Sequence, residues 1–210
     1  MAKNNTPITH LFLDIGGVLL TNGWDHNSRA RACKQFKLER TDIEARHQLN
    51  FELFDAGKLS LKEYLARVIF YKERPFTYDQ FRQFMLEQSK PYPKMIQLMT
   101  ELKTKHGLKI AAVSNEAREL NAYRIATFKL DHLIDSFISS CFVHIRKPDT
   151  EMFQLALDIS QAKVSQVLYI ENTSLFVELA ERMGIQSILH TDYTSTCQKL
   201  ASLGLLYRYK

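Results

Sequence analysis

Short apolar runs alternate with amphipathic segments of helix length over most of this chain, and this alternation constrains the fold more than any other feature. The runs that have the character of buried strands are residues 8–13, 108–113, 137–140, 167–170 and 185–189. The amphipathic segments between the later runs are residues 93–106, 116–128, 150–159 and 174–183. Buried strands joined by such helices are typical of a parallel sheet covered on both faces. The sequence therefore predicts an α/β fold with a doubly wound parallel sheet.

A different pattern fills the stretch between the first predicted strand and Pro91. The segments with helical periodicity there are residues 27–38, 42–54, 60–71 and 78–88, and no strand pattern interrupts them. Ser60 and Thr77 are typical helix N-caps, and Glu63 follows Ser60 at the spacing of a capping box. We predict a core domain of residues 1–20 and 91–210 and a helical cap domain of residues 21–90.

The composition is that of an ordinary globular protein. The 210 residues are 45% hydrophobic and 24% charged, which indicates neither a disordered chain nor a membrane protein. No apolar run has the length that a bilayer requires, and the first residues lack the apolar stretch of a secretory signal. Three cysteines without CxxC spacing fit a reducing compartment. We predict a cytoplasmic protein.

The formal net charge of +5 is compatible with phosphorylated ligands or nucleic acid, but the basic residues are spread along the chain. The densest basic group consists of Arg29, Arg31, Lys34, Lys37 and Arg40. Its spacing favours a solvated helix face over a nucleic-acid patch. We therefore expect neither a nucleic acid nor a membrane as partner, and the sequence leaves the oligomeric state open.

Polar residues follow four of the predicted strands, at the edge where ligands bind in open parallel sheets. These residues are Asp14, Ser114 with Asn115, Lys147, and Glu171 with Asn172. Because the carboxyl ends of parallel strands meet at one edge, we expect the side chains to share a pocket. Polar groups directly after the buried run of residues 168–170 must reach either solvent or a ligand, which favours a functional site.

The residue types suit an attack on a phosphate ester. The Asp14 carboxylate can attack phosphorus and form an aspartyl-phosphate, which divides one difficult displacement into two easier ones. Ser114, Asn115 and the backbone at Gly17 are predicted to bind the phosphoryl oxygens. Lys147 supplies a positive charge that offsets the repulsion between an anionic nucleophile and an anionic substrate.

The remaining polar residues predict a site for Mg²⁺. Carboxylate, carbonyl and amide oxygens are the ligands that this ion prefers in proteins. The predicted ligands are Asp14, the main-chain carbonyl at Gly16, Glu171 and Asn172. The sequence does not decide which of the last two residues binds the ion directly.

These residues lie in segments that resemble the four motifs of the haloacid dehalogenase superfamily. The segments are LFLDIGGVL at residues 11–19, VSN at 113–115, RKPD at 146–149 and LYIEN at 168–172. The resemblance spans essentially the whole chain, and four motifs in order, each after its own predicted strand, are a specific signal. The pattern is similar to small sugar-phosphate phosphatases such as glucose-1-phosphate phosphatase, including the cap segment FDAGKLS at 54–60. The resemblance implies a Mg²⁺-dependent hydrolase of a small phosphorylated metabolite.

Two positions depart from the pattern of the superfamily's phosphatases. Gly16 stands where those enzymes carry a second aspartate that protonates the leaving group. Loss of a positioned acid costs about 10²–10⁴-fold in rate, so we expect slow turnover unless another group supplies the proton. Asn172 replaces a second acidic metal ligand and removes one negative charge, which should weaken Mg²⁺ binding.

Other interpretations of these residues stay open. C–halogen hydrolysis also uses an aspartate nucleophile and needs no leaving-group acid, which would explain Gly16, although 2-haloacid dehalogenases carry tyrosine there and use no metal. A catalytically silent phosphometabolite-binding or protein-binding member of the superfamily would fit both departures. Ser114 and Asn115 are also plausible helix caps, and Asp149 is expected to cap the helix that begins near Thr150. Histidine and tryptophan residues of the cap are expected to be ordinary packed or solvated residues.

Overall fold

The computed structural model describes residues 6–206 and contains a parallel sheet at its centre. Within these residues the sheet has five strands: β1 (His10–Leu13), β2 (Lys109–Ser114), β3 (Ser136–Ser139), β4 (Val167–Glu171) and β5 (Gln186–Leu189). Their order is β3-β2-β1-β4-β5, and every neighbouring pair is parallel. The predicted doubly wound parallel sheet is confirmed. Because the chain reverses direction across the sheet between β1 and β4, the switch point at which ligands bind in such sheets lies directly after β1.

Helices surround this sheet and occupy most of the predicted positions. In chain order within the described residues they are α1 (His26–Gln35), α2 (Arg40–Asp55), α3 (Leu61–Val68), α4 (Tyr78–Glu87), α5 (Pro93–His106), α6 (Arg118–Phe128), α7 (Ser140–Val143), α8 (Glu151–Ser160), α9 (Ser174–Arg182) and α10 (Tyr193–Ser202). The predicted helix at residues 93–106 has the bounds of α5, while several others differ at their ends. Two helices, the single turn α7 and the helix α10, lie where the sequence predicted none.

The central strands β1 and β4 are largely buried on both faces, and alternate residues of β1 pack into different cores. Leu11 and Leu13 of β1 lie in an apolar cluster with residues of α5 and α10. Phe12 lies in a second cluster with Tyr169 of β4 and residues of α8 and α9. This alternation follows from the two-residue period of a strand, and it confirms that helices cover both faces.

The helices α1 to α4 between β1 and α5 form an apolar cluster of their own. This cluster also contains Ala117 and Leu120, at the start of α6, so the inserted helices pack against the core at that point. The capping box of Ser60 and Glu63 is confirmed, and Thr77 caps α4 in the same way. The division into core and cap domains stays a prediction, and its outermost segments, residues 1–5 and 207–210, lie outside the described residues.

The basic group of α1 differs from the expected solvated face at Arg29. This residue is buried, and its guanidinium donates hydrogen bonds to both carboxylate oxygens of Glu44 at 2.8–3.0 Å. It also donates to the carbonyl of Trp24 at 3.0 Å. The prediction of a solvated face is wrong at this residue. Its partner Glu44 lies on another helix, α2, and the spacing of residues along α1 carries no information about contacts between helices.

The structure also describes the cysteines and the apolar character of the helices. All three cysteines, Cys33, Cys141 and Cys197, are free thiols. Across residues 6–206, none of the helices combines the length and the apolar character needed to cross a bilayer.

Candidate active site

The carboxyl edge of the sheet brings together the side chains that the sequence predicts there. Leu13 of β1 is in register with Ala112 of β2 and Ile170 of β4. The next residue, Asp14, continues this register, and its N–H donates to the carbonyl of Ile170 at 3.0 Å. Its side chain therefore emerges between the ends of β2 and β4, beside Ser114 and Glu171.

Lys147 is the centre of the polar cluster at this edge. Its ammonium group donates to Glu171 Oε2 at 2.6 Å, to Asp14 Oδ1 at 3.1 Å and to the hydroxyl of Tyr169 at 3.1 Å. Only 1% of Lys147 is exposed, and Glu171 is fully buried. A lysine ammonium has three protons, so these three partners satisfy it completely.

The cluster carries more negative than positive charge. Two carboxylates, Asp14 and Glu171, share the single ammonium of Lys147. Burial raises the pKa of Asp14 to about 7, and the charge of Glu171 adds to this rise while Lys147 opposes it. Burial disfavours the charged form of Lys147, but the two carboxylates outweigh this effect and its pKa is raised. Lys147 is therefore an ammonium ion at neutral pH.

Glu171 has no carboxylate oxygen without a protein partner. Its Oε1 accepts the N–H groups of Asn172 and Thr173 at 2.9 Å each, and its Oε2 accepts Lys147 and the hydroxyl of Tyr169. The predicted role of Glu171 as a direct metal ligand disagrees with these contacts. The disagreement arises because the turn after β4 directs two backbone N–H groups at the carboxylate.

Asn115 holds the main chain of Lys147 rather than capping a helix. Its amide Nδ2 donates to the carbonyl of Lys147, and its Oδ1 accepts the N–H of Lys147, both at 2.9 Å. This reciprocal pair links the loop after β2 to the loop that carries Lys147. The helix that follows, α6, has Ala117 at its N-cap without a side-chain hydrogen bond.

Ser114 is buried beside the loop that carries Asp14. Its hydroxyl accepts the N–H of Ile15 at 3.4 Å and donates to Glu116 at 3.3 Å. These contacts fix the hydroxyl next to the loop that begins at Asp14. Farther along, Asp149 accepts the N–H of Glu151 at 2.9 Å, as expected for a residue that caps α8.

The two glycines after Asp14 are packed against Asn172. Gly17 has φ +78°, and a Cβ there would lie 2.2 Å from the amide group of Asn172. Its N–H donates to the carbonyl of Leu20 at 2.6 Å, so its predicted phosphoryl-binding role would have to compete with this bond. In the orientation that directs its nitrogen at these acceptors, the amide of Asn172 donates hydrogen bonds to Gly16 O and to Glu171 Oε1, at 3.0 Å each.

The oxygen atoms around Gly16 fit a Mg²⁺ ion. The Asp14 carboxylate, the Gly16 carbonyl and the Asn172 amide oxygen are hard donors of the kind that Mg²⁺ takes. A half-turn of the Asn172 amide exchanges its nitrogen for its oxygen, which then faces the Gly16 carbonyl. The described residues contain no group of three or more His, Cys, Asp and Glu side chains that could hold a metal. Asp14 is thus the single charged ligand of this set.

A second buried ion pair lies next to the site, and the sequence analysis did not identify it. Arg124 of α6 pairs with Glu116 and also donates to the carbonyl of Thr21. Its guanidinium lies 3.9 Å from where a side chain at Gly16 would begin. One feature of the sequence indicated this burial: Arg124 lies four residues after Leu120 and therefore on the same, buried face of α6.

A cavity of about 160 Å³ lies between the inserted helices and the segment that follows β2. Its lining residues are Asn22, Gly23, Trp24, His47, Phe51, Phe54, Asp55, Asn115, Glu116, Ala117, Leu120 and Arg124. Trp24 and His47 both bond to the hydroxyl of Tyr64, at 2.9 and 2.8 Å. The aromatic residues of the cap are thus held by one another, with one side open to the cavity.

A sequence model of haloacid dehalogenase-like hydrolases matches residues 26–190, which is most of the chain. The chain belongs to this family. The predicted superfamily membership is thereby confirmed, whereas the similarity to glucose-1-phosphate phosphatase stays a prediction. A search of curated protein sequences finds no match.

Solved structures of haloacid dehalogenase-like proteins share the fold at low sequence identity. A predicted hydrolase of this family from Porphyromonas gingivalis is 19% identical with a TM-score of 0.73, covering 93% of this chain and 98% of its own. A family enzyme from Bacteroides thetaiotaomicron, in complex with magnesium and inorganic phosphate, is 18% identical with a TM-score of 0.74, covering 90% and 98%. L-2-haloacid dehalogenase from Xanthobacter autotrophicus, with chloropropionic acid covalently bound, is 19% identical with a TM-score of 0.61, covering 93% and 83%.

Proposed function

We propose that this hydrolase cleaves the phosphate monoester of a small phosphorylated metabolite through an aspartyl-phosphate on Asp14. The observation that carries the proposal is the ammonium of Lys147, buried at the switch point of the sheet and bonded to Asp14. A buried cation beside a carboxylate nucleophile is what an anionic substrate requires, because it offsets the repulsion between the two anions.

In the first step Asp14 attacks phosphorus, and the bond between phosphorus and the ester oxygen breaks. Lys147 neutralises charge on the phosphoryl oxygens, and the hydroxyl of Ser114 binds one of them. Water then attacks the aspartyl-phosphate and releases inorganic phosphate and the free Asp14 carboxylate.

Three residues hold Lys147 in position for this reaction. Glu171 and Tyr169 bind its ammonium, while Asn115 binds both polar groups of its main chain. Glu171 thus acts through Lys147 rather than on the substrate or a metal ion. The fixed geometry lowers the reorganisation needed when substrate binds.

The proposal includes Mg²⁺ bound by Asp14, the Gly16 carbonyl and the Asn172 amide oxygen. When bound, the ion supplies positive charge for the phosphoryl oxygens and for the surplus negative charge of the cluster. The complex of the related Bacteroides thetaiotaomicron enzyme with magnesium and phosphate supports this choice of ion. Because Asn172 is neutral, we expect weaker binding than at a site with two carboxylates.

Residues 21–90 are proposed to act as a cap whose aromatic residues contact the leaving group in the adjacent cavity. A cytoplasmic location, and the absence of nucleic-acid and membrane partners, remain predictions from the sequence.

Turnover of para-nitrophenyl phosphate in Mg²⁺ buffer tests the nucleophile. We expect Asp14→Asn to lower kcat by at least about 10³-fold, as removal of a covalent nucleophile does in other enzymes, while the protein stays folded. Asp79→Asn, the same change at an exposed position on α4, is the control and should keep wild-type kcat. Failure of the wild type to release phosphate from a broad panel of phosphate esters would refute the proposal.

C–halogen hydrolysis is the second candidate, and Gly16 is the observation that favours it. A halide leaves without a proton, so a site that lacks the second aspartate loses nothing in that reaction. The fold shared with L-2-haloacid dehalogenase is compatible with this chemistry. Chloride release from 2-chloropropionate in the presence of a chelator, with no phosphate-ester turnover, would favour this candidate over the phosphatase.

A further inference from the structure

The proposed reaction needs a proton for the leaving oxygen, and the loop after Asp14 does not supply one. Gly16 has no side chain, and the groups nearest to where one would begin belong to Asn22, at 3.5 Å, and Arg124, at 3.9 Å. An amide is no acid at neutral pH, and a guanidinium does not lose its proton in proteins. A proton donor must therefore come from another element.

The cavity beside the site is lined by two carboxyl groups and one imidazole, those of Asp55, Glu116 and His47. Glu116 is paired with Arg124 and also accepts the Ser114 hydroxyl, so it acts as a hydrogen-bond acceptor. Burial lowers the pKa of His47 to about 4, and Arg29 adds to this effect, so that its ring is neutral at pH 7. Asp55 is the remaining acid among the residues that line this cavity.

Asp55 is the last residue of α2, and its backbone is fastened to the core. Its carbonyl accepts the hydroxyl of Ser140 at 2.7 Å, and the carbonyl of the next residue, Ala56, accepts His144 at 2.7 Å. Ser140 in turn accepts the N–H of Glu116 at 2.9 Å, directly after the Ser114–Asn115 segment. This end of the cap is thus held beside the loop that carries the phosphoryl-binding residues.

Charges of both signs surround Asp55, and burial has the largest effect on its protonation. Burial raises the pKa of Asp55 to about 7, Arg146 and Arg29 oppose the rise, and Glu116 and Glu52 add to it. The Arg146 guanidinium lies 3.6 Å from its carboxylate, while 28% of the side chain remains exposed. A carboxyl that is about half protonated at neutral pH is matched to general acid catalysis there.

We propose that Asp55, on the cap side of the cavity, is the catalytic acid that replaces the missing aspartate at Gly16. This inference rests on the proposed phosphatase function and adds the residue that completes its proton balance. While Asp14 forms its bond to phosphorus, the ester oxygen leaves with the proton of the Asp55 carboxyl and becomes an alcohol. The Asp55 carboxylate then takes a proton from the water that attacks the aspartyl-phosphate, so the acid is restored as phosphate leaves.

Leaving-group dependence tests this role. The probes are ethyl phosphate, whose alkoxide leaves only with a proton, and para-nitrophenyl phosphate, whose phenolate leaves without one. We expect Asp55→Asn to lower kcat on ethyl phosphate about 10²–10⁴-fold and on para-nitrophenyl phosphate less than about tenfold. Asp79→Asn is the matched control, because it makes the same change at an exposed position on α4 outside the cavity. It should leave both rates near wild type.

The pH profile gives a second kinetic readout. Wild-type kcat on ethyl phosphate should fall as the pH rises above about 7, where Asp55 loses its proton, and Asp55→Asn should lack this fall. An equal loss of kcat on both substrates, or no loss on either, overturns the donor role while leaving the phosphatase proposal intact. A wild type without phosphate-ester turnover refutes the proposed function, and the donor role with it.

Thermal unfolding checks the Asp55 carboxyl without any substrate. A folded-state pKa above the ordinary value of 3.8 means that the folded protein binds this proton more tightly, so stability falls as pH rises from that value through about 7. Asp55→Asn lacks this penalty, so its Tm should exceed that of the wild type by about 2 °C or more at pH 8. The difference should shrink towards pH 4, and Asp79→Asn should show no such trend. A Tm difference that does not vary with pH overturns the inference.

Discussion

Two buried ionic clusters lie on either side of Ser114, and they differ in charge balance. In one, the single ammonium of Lys147 serves the carboxylates of Asp14 and Glu171. In the other, the guanidinium of Arg124 is matched by the one carboxylate of Glu116. The unbalanced cluster has a carboxyl whose pKa is raised to about 7, as is common where a site is built for an additional charged ligand. The balanced pair has the charge count of a structural ion pair.

Removing the cation of the unbalanced cluster should lower both the stability and the activity of the protein. Lys147→Met leaves two buried carboxylates without their partner, which should lower the free energy of unfolding by about 3–5 kcal/mol. The kcat on para-nitrophenyl phosphate should fall by about 10²–10³-fold, because a preorganised charge at the phosphoryl group is lost. Lys163→Met, at an exposed position, is the control for both measurements. A Lys147→Met protein that keeps wild-type stability and kcat would contradict the importance of the charge surplus.

The balanced pair should respond differently when both partners change. Arg124→Met alone should lower the free energy of unfolding by about 3–5 kcal/mol, because Glu116 is left as a buried charge. The double variant with Glu116→Leu should recover most of this loss, since replacing both members of a buried pair by apolar groups is often neutral. Denaturant unfolding of the single and double variants measures the difference. A double variant as unstable as the single one would show that the pair is more than a balanced structural contact.

A smaller effect is expected from adding one more negative charge to the unbalanced cluster. Asn172→Asp supplies a second carboxylate beside the Gly16 carbonyl and should tighten Mg²⁺ binding about tenfold or more, as ligand charge strengthens sites for such ions. Calorimetric titration of the protein with Mg²⁺ alone measures this change. In a chelator the same variant should have a lower Tm than the wild type, because the new carboxylate faces two oxygen acceptors.

Asn22→Asp is the control in the Mg²⁺ titration. It distinguishes direct binding of the ion by residue 172 from attraction of the ion by any additional negative charge nearby. Asn22 lies beside the glycine loop, 3.5 Å from where a Gly16 side chain would begin, so it adds a charge of the same sign nearby. We expect its effect on Mg²⁺ affinity to be smaller than that of Asn172→Asp. Equal effects of the two variants would argue against direct binding of the ion by residue 172.

The strand ends were predictable because they depend on local sequence. Buried strands such as β1 and β4 are continuous apolar runs, and a polar residue that ends such a run must lie at the edge of the sheet. Parallel register then brings the residues after neighbouring strands together, so Asp14 and Glu171 meet without further information. The position of Ser114 at the same edge follows from the same argument, because Ser114 ends β2.

The partners of these side chains were not predictable in the same way. Lys147 is 133 residues from Asp14 along the chain. The conformation of its loop decides whether its ammonium faces a substrate or lies between the two carboxylates. The contacts of Glu171 depend on the turn after β4, which directs two N–H groups at its carboxylate. Arg124, Glu116 and Asp55 had no motif, and only the packing of the cap against α6 joins them around one cavity.

The sequence by itself determined a parallel α/β sheet, a helical insertion after β1, and the four strand ends that carry polar residues, because hydrophobic periodicity and helix caps act over a few neighbouring residues. The tertiary structure alone decided which carboxylate faces which cation, how Asn172 meets Gly16, and which cap residue shares a cavity with Asn115. The net charge of such a site, and the burial of its side chains, depend on groups from segments that are distant in the sequence. They exist only after the chain has brought those segments into contact.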